Sequence, residues 1–461
     1  MKNEDKISAK YVGVLDGVRA VSIIIVMIFH FWQQTWIFPV IKTPFLKFIG
    51  VTQINFSPFA QVGYLFVDMM VLISGFLLFL PVARNVIFGE PLESFGKYFK
   101  KRAVRILPSY YFCVILLFVY ELLLGGFGRP IVWSDALRDL FTHLTFMQMW
   151  TTQTYLSTKL NGVLWTLAVE VWFYILFPVF ALFVKRWKKE NSSIPSLIRA
   201  AVLAALFIGV SFAYIYGYAL NSGSAFSNTV DGFLKSLRSG IRSDYLSMTI
   251  NQLPAFMGTY AVGLMGSFIY VFAAKYMKRR WWLGLIFTIC ALCFAYLIVV
   301  MVKGCASLGG EDAQKWQMTE RLKLALVFMG FILSASFSSA PFRFLLSNKF
   351  MVFLSTISYN LYIWHQWLAV KLKYDWRIPY WTGNTPPNQL GGSESAIWKN
   401  KYAAIITIFA FAAAILATYL IERPAADLMN GRPSIYNGKI PIAFKKLFGR
   451  KTGEKDEAKK A

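Results

Sequence analysis

The sequence predicts an all-α fold, a polytopic membrane bundle of about ten transmembrane helices. Three observations carry this. Of the 461 residues, 57% are hydrophobic and only 15% charged, where a soluble domain carries about 25% charged residues. The mean hydropathy is +0.50. Apolar runs of ~20 residues, the length a spanning helix needs, recur along the chain. The bias holds over the whole length, so a large soluble enzyme with one short anchor is excluded. Disorder is excluded as well, because 17% aromatic residues could not stay solvated. The alternating strands of a membrane barrel are not seen.

In order, the first segment, 14–36, is the run VSIIIVMIFHFW held between polar flanks. The second, 60–83, is FVDMMVLISGFLLFLPVA with its neighbours, and the third, 104–124, opens behind the basic cluster KKR. The fourth, 163–184, stops at KRWKKE, and the fifth, 198–220, resumes beyond it. The sixth and seventh, 253–274 and 281–302, are separated by KYMKRR. The eighth, 322–340, is the least continuous; the ninth, 350–370, and the tenth, 402–421, close the set, the tenth ending at ERP. The stretch 139–150 is too short to span and is expected at an interface or re-entering.

Lys and Arg concentrate in the short loops on one side, which sets both termini in the cytoplasm. The balance of 48 Lys+Arg against 23 Asp+Glu, a net charge of +25, is then explained by inner loops facing anionic lipid headgroups, with no nucleic-acid partner required. The long connections 125–162, 221–252 and 371–401 face outward and are rich in Asn, Gly, Ser, Thr and Trp. Residues 1–424 read as the membrane domain and 425–461 as a short basic cytoplasmic tail. No cleavable signal peptide is apparent, and no internal repeat marks an inverted-repeat transporter. Cys113, Cys290, Cys293 and Cys305 form no disulfide framework. The CxxC of Cys290 and Cys293 lies inside an apolar run, where small packing residues are expected and neither a metal nor a redox centre is.

Ionisable side chains within a bilayer are costly and mark function by default. Arg19 and His30 are eleven residues apart on the first segment, three turns plus about 20°, so they share a face some 16 Å apart along the axis (roughly). Histidine is the side chain suited to proton abstraction near neutral pH. Glu170 in the fourth segment and Asp68 in the second lie at similar depth from the outer side, where either could orient the His30 imidazole. The plainer alternatives are a snorkelling end anchor for Arg19, a hydrogen-bonded structural histidine, and interhelical pairing for the two carboxylates. Arg102 and Arg105, at i and i+3, put two guanidinium groups on one face, as a phosphate-rich ligand requires; positive-inside flanking explains them equally. Ser358, Tyr362 and His365 share a further helix face and read as support, with packing the simpler role. His143 reads as structural.

LDGVRAVSIIIVMIFHF, FVDMMVLISGFLL, KRAVRILPSYY, VLWTLAVEVWFYILFP, SYNLYIWHQ and YLIERP resemble, in order, the landmarks of acyltransferase family 3. The resemblance covers nearly all of the chain. It implies a bacterial inner-membrane enzyme moving an acyl group, usually acetyl, from cytoplasmic acyl-CoA to a hydroxyl of a carbohydrate acceptor at the outer face. No permanently bound cofactor is implied. On matching positions, His30 resembles the histidine of the family's first helix and Arg19 its preceding arginine. Arg102 and Arg105 resemble the R-x-x-R pair assigned to the acyl donor, and Glu170 the glutamate after the WSL-type motif. Thr166 stands where serine is common. Many members carry a C-terminal extracytoplasmic SGNH-type domain that this sequence lacks, so direct delivery to the acceptor, or to a separate extracytoplasmic partner, is expected. The rival class is a proton-coupled transporter or flippase of a lipid or polyol, using His30 and Glu170 as a relay; a non-catalytic sensor or scaffold is the third.

Overall fold

The computed structural model describes residues 12–50, 52–187, 192–219, 248, 250–278, 280–390 and 392–432. Most of the connection 221–252 and of the basic tail lies outside the described residues, as do both chain ends.

The first long helix, α1 (Val14–Thr35), is followed by a small antiparallel pair, β1 (Val40–Lys42) and β2 (Gln53–Asn55), in register Val40 to Asn55. Next come α2 (Leu65–Phe88), α3 (Phe95–Leu124), the shorter α4 (Trp133–Leu144) and α5 (Trp165–Val184). The second half holds α6 (Ile194–Tyr214), α7 (Leu253–Tyr276), α8 (Trp281–Leu308) and α9 (Gly310–Phe337). It closes with α10 (Ala340–Ser347), α11 (Lys349–Tyr374), α12 (Gly392–Ala417) and α13 (Arg423–Met429). This is the polytopic helical bundle that the composition requires.

Each of the ten apolar segments falls on one of these helices. Among the described residues, 8 helices are by themselves long and apolar enough to cross a membrane. The eighth and ninth segments lie in α9 and α11, joined through α10 with a bend of 116°, and raise the count to 9 when taken as one broken span. Polar side chains lower the hydropathy of both: buried Gln317 and Arg321 together with exposed Glu311, Asp312, Lys315 and Lys323 on α9, and buried Ser358, Asn360 and His365 on α11. A run diluted by polar residues loses its apolar signature while still filling the bundle.

The centre of the bundle is α2 against α7. Their apolar windows are 78% and 83% buried, against 17% for the peripheral α8. Small residues set that crossing: a Cβ added at Gly263 would stand 2.8 Å from the backbone nitrogen of Phe76, and one at Gly75 would stand 2.9 Å from the Tyr260 ring. Such close backbone approach is how helices associate where no hydrophobic drive separates them from lipid. On the other flank α1 packs against α11 as well as α2, which places the first helix between the two walls described below. Prolines interrupt three helices, Pro81 in α2, Pro108 in α3 and Pro178 in α5. Each leaves a carbonyl one turn earlier without its helical donor.

The stretch 139–150 falls on the end of α4 and the turn after it. Trp133, Leu137 and Phe141, four residues apart, are exposed on one face, while Ala136, Asp139 and His143 are buried on the other. That two-sided pattern gives the helix one apolar face turned outward and one packed on the bundle. Tyr110 and Tyr111 of α3 donate to the carbonyls of His143 and Leu144 at 2.7 and 3.1 Å, and Phe146 stacks on Tyr110, so the connection is fastened to the bundle. His143 is structural, its Nδ1 2.8 Å from the Asp139 carbonyl.

Candidate active site

One polar cavity of about 380 Å³ opens among α1, α2, α3, α5 and α11. Its walls include Arg19, Arg84, Arg102, Arg105, Glu170 and Tyr174, with Ser358 and Tyr362 on the α11 side. Pro81 lies in the wall together with Leu77, the residue whose carbonyl it frees. The i,i+3 spacing of Arg102 and Arg105 therefore does present both to one space, and Arg19 faces that space too. The Arg102 guanidinium carbon is 5.7 Å from the Tyr98 ring centre and 5.5 Å from that of Tyr174, held between two π faces. Tyr98 in turn donates to the Tyr174 carbonyl at 3.2 Å. Aromatic stacking of this kind fixes a guanidinium plane without consuming its N–H donors.

Glu170 occupies the same cavity. Its Oε2 accepts from the Tyr174 hydroxyl at 3.1 Å, and that hydroxyl is 3.0 Å from Ser74 Oγ. A carboxylate set among guanidinium groups is the electrostatic counterweight of this wall, and it tempers the repulsion between Arg19 and Arg105 when no anion is bound. The expectation that Glu170 orients His30 does not hold. The two share a depth, each about five residues (~7.5 Å) from a helix end, but Tyr174 and Ser74 hold the carboxylate toward the arginines.

His30 lines a second, smaller cavity of about 190 Å³, with Phe29, Tyr64, Trp165, Asn251, Gln314 and Gln317 among its walls. Its Nδ1 lies 2.8 Å from Gln33 Oε1. An amide oxygen only accepts, so Nδ1 carries the hydrogen and Nε2 the lone pair of a general base. The two cavities share a wall: Val67 and Tyr362 line both. Tyr362 is buried, and its hydroxyl donates to the Val163 carbonyl at 3.1 Å, tying α11 to the start of α5 at that partition. One face of α1 thus carries Arg19 to the arginine cavity and His30 to its neighbour, as their spacing requires.

Asp68 is not part of either wall. Its Oδ1 is 2.7 Å from Arg321 Nε, and its Oδ2 accepts from Gln317 at 2.7 Å. Arg321 also donates to the Ile250 carbonyl at 2.7 Å and lies over the Phe256 ring. This is the interhelical pair, α2 to α9, that the sequence left as the alternative to orienting His30. Ser358 spends its hydroxyl on the Ser355 carbonyl at 2.7 Å, so it lines the cavity as a packed residue. His365 lies behind His30, ring centres 5.0 Å apart.

Four guanidinium groups facing one space, separated by a shared wall from a histidine with a free lone pair, is an arrangement that can hold a polyanion next to a basic nitrogen. A family model described as an acyltransferase domain matches residues 12–423. The chain belongs to acyltransferase family 3. Membership settles the enzymatic class over the transporter. The acyltransferase is also similar to the peptidoglycan O-acetyltransferase OatA of Listeria monocytogenes, 23% identical over 218 residues, which is 46% of this chain and 31% of that protein. The O-acetyltransferase OatA of Staphylococcus aureus is 23% identical over 220 residues, covering 45% of this chain and 31% of that protein. The match thus spans less than a third of either relative. No solved structure matches the acyltransferase.

Several residues in the walls or bonded to them escaped the sequence reading. Arg84, paired with Glu90, looked like one more basic flank at the end of a span. Tyr174 is one helical turn from Glu170 and Gln33 is one turn from His30, so an i,i+4 and i,i+3 search around each candidate would have found both. Ser74, which comes from another helix, left no such signal.

Proposed function

We propose that the chain is a membrane O-acyltransferase that takes an acetyl group from acyl-CoA in the arginine cavity and delivers it to a hydroxyl of a carbohydrate acceptor in the His30 cavity. The observation that supports this reading above others is the shared wall at Val67 and Tyr362. A thioester has to move only past those two side chains to pass from the arginines to the imidazole. The phosphates of CoA match the guanidinium groups of Arg102, Arg105, Arg84 and Arg19, which offer charge-assisted, bidentate contacts. The acceptor cavity combines the rings of Phe29, Tyr64 and Trp165 with the amides of Asn251, Gln314 and Gln317. A sugar, with apolar C–H faces and a rim of hydroxyls, asks for both. The name of the Listeria relative points to peptidoglycan as the acceptor. The positive-inside bias of the sequence supports an arginine cavity that opens toward the cytoplasm of a bacterium, with the bilayer closing the remaining surface.

In the reaction His30 Nε2 takes the proton of the acceptor hydroxyl as its oxygen attacks the thioester carbonyl carbon. The C–O bond forms, the C–S bond breaks, and the departing thiolate takes the proton back from His30, leaving free CoA-SH and neutral imidazole. Positioned acid–base catalysis of this kind contributes about 10²–10⁴ in rate. Membranes holding the protein, supplied with radiolabelled acetyl-CoA and isolated peptidoglycan, should move label to the glycan. Label that remains on CoA, with or without the protein, refutes the reading.

A further inference from the structure

The corner between α9 and α10 holds a further cavity, of about 480 Å³, that shares no residue with the arginine cavity or the His30 cavity. Its walls come from the α7–α8 connection, the start of α8, the end of α9 and the start of α10. The chain builds this corner by breaking a span: α9 stops at Phe337, α10 starts at Ala340 with Pro341 in its first turn, and the direction changes by 116°. α8 packs into the bend. A Cβ added at Gly284 would stand 3.3 Å from Ser339 Cα, and the Ser339 N–H donates to Thr288 Oγ1 at 3.0 Å. Lys275, at the end of α7, donates to the Ile87 carbonyl of α2 at 2.9 Å, so the cavity lies at the same end of the bundle as Arg84.

Three cationic side chains line it, Lys278, Arg280 and Arg343, and no described lining residue is acidic. Lys278 and Arg280 are exposed, whereas Arg343 is half-buried and donates to the Ser338 carbonyl, which fixes its guanidinium at the corner. α8 and α10 both begin in this wall without a side-chain cap, so their N-termini add to the positive field. The rest of the wall is apolar. Leu285 and Phe287 follow Arg280 along α8, about 7–10 Å deeper at 1.5 Å per residue, and Phe337 joins them from α9. α8 is also the peripheral helix, only 17% of its apolar window being buried, so lipid reaches the cavity from the side. Trp281, next to Arg280, is 79% exposed, the position of an aromatic anchor at headgroup level.

We propose that this corner binds an anionic glycerophospholipid, with Lys278, Arg280 and Arg343 taking the headgroup phosphate and an acyl chain lying along Leu285, Phe287 and Phe337. Charge complementarity selects the headgroup: a zwitterionic one brings its own ammonium beside three cations, and a net negative one does not. The apolar half of the wall selects a lipid over a free anion, because only a lipid covers it. A basic pocket between membrane helices is a recurrent form of headgroup recognition, and arginine adds bidentate contacts to the phosphate oxygens.

The test uses the full-length protein in phosphatidylcholine vesicles that carry a trace of phosphatidylglycerol with a photoactivatable group on its acyl chain. Crosslinks are mapped by peptide mass spectrometry. Label is expected on segments 281–287 and 337–343, roughly tenfold above that from the matched photoactivatable phosphatidylcholine. Lys278→Gln with Arg280→Gln should cut that labelling roughly 10- to 30-fold, at one electrostatic contact per removed charge. Lys399→Gln with Lys401→Gln removes the same charge from α12 and should leave it unchanged. Equal labelling of wild type by the two lipids overturns the proposal without recourse to any variant, and so does labelling undiminished by Lys278→Gln with Arg280→Gln. Labelling abolished by inorganic phosphate, but not by chloride at the same ionic strength, would make the corner a site for a free anion and overturns the lipid assignment as well. The readout is a crosslink and not turnover, so it stands or falls separately from acyl transfer.

Discussion

Asp68 and Arg321 meet at 2.7 Å with both side chains almost wholly buried, Arg321 at 1% exposure and Asp68 at 0%. The pair joins α2 to α9 at the level of the small cavity, and Gln317, which lines that cavity, is bonded to the same carboxylate. It therefore fixes one wall of the acceptor space without facing it. Removing one partner of a buried pair leaves an uncompensated charge, at a cost of about 3–5 kcal/mol. Asp68→Leu should lower the thermal unfolding midpoint of the detergent-solubilised protein sharply, and Asp68→Leu with Arg321→Met should restore much of it. A catalytic role would show the opposite: stability unchanged and kcat lost.

The arginine cavity makes a prediction about binding alone. Arg102→Ala and Arg105→Ala should each weaken acyl-CoA by roughly 10- to 100-fold, the value of a charge-assisted hydrogen bond, measured by titration calorimetry. Lysine at either position should recover only part, because a point charge cannot reproduce a bidentate fork. Arg84→Ala tests the residue that the sequence did not single out. It should also weaken acyl-CoA, and an affinity unchanged by that substitution would leave Arg84 as the partner of Glu90 and nothing more.

His30→Ala should abolish transfer while leaving the affinity for acyl-CoA intact, since the imidazole and the arginines line different cavities. Gln33→Leu should lower kcat less, because it removes the group that sets the tautomer and leaves the base in place. A measured loss of acyl-CoA binding in His30→Ala would mean that the two cavities are one functional site.

How much of this was readable beforehand follows from what each residue answers to. The helices were legible because lipid imposes length and apolarity on every span, and the α1 face was legible because 3.6 residues per turn places Arg19 and His30 together whatever surrounds them. The R-x-x-R pair was found for the same reason. Partnerships between helices were not legible. Nothing in FVDMMV announces that Asp68 will find Arg321, 253 positions later, and nothing in VLWTLAVEVW says whether Glu170 will turn toward a histidine or toward Tyr174. Depth can be counted along a chain, but the azimuth of one helix against another is decided by packing such as Gly75 against Tyr260 and Gly263 against Phe76. Polar residues in the bent pair α9–α11 were hard to read for a related reason: the burial that makes them useful also erases the apolar run that would have marked the span.

The shared wall carries the last prediction. If the thioester crosses between cavities, the width at Val67 controls turnover and not affinity. Val67→Phe adds bulk at a site already 94% buried, given its 6% exposure, and the added volume has the two cavities to occupy instead of a packed core. It should leave acyl-CoA binding within about twofold, and cut transfer by more than the roughly 1–3 kcal/mol of overpacking strain would suggest. Val67→Ala should do the reverse, keeping turnover and admitting longer acyl chains, read as a gain in transfer of propionyl or butyryl relative to acetyl. Equal acyl preference in the two variants, with transfer by Val67→Phe undiminished, would mean that the donor reaches His30 by another route, and the partition at Val67 and Tyr362 would then be structural.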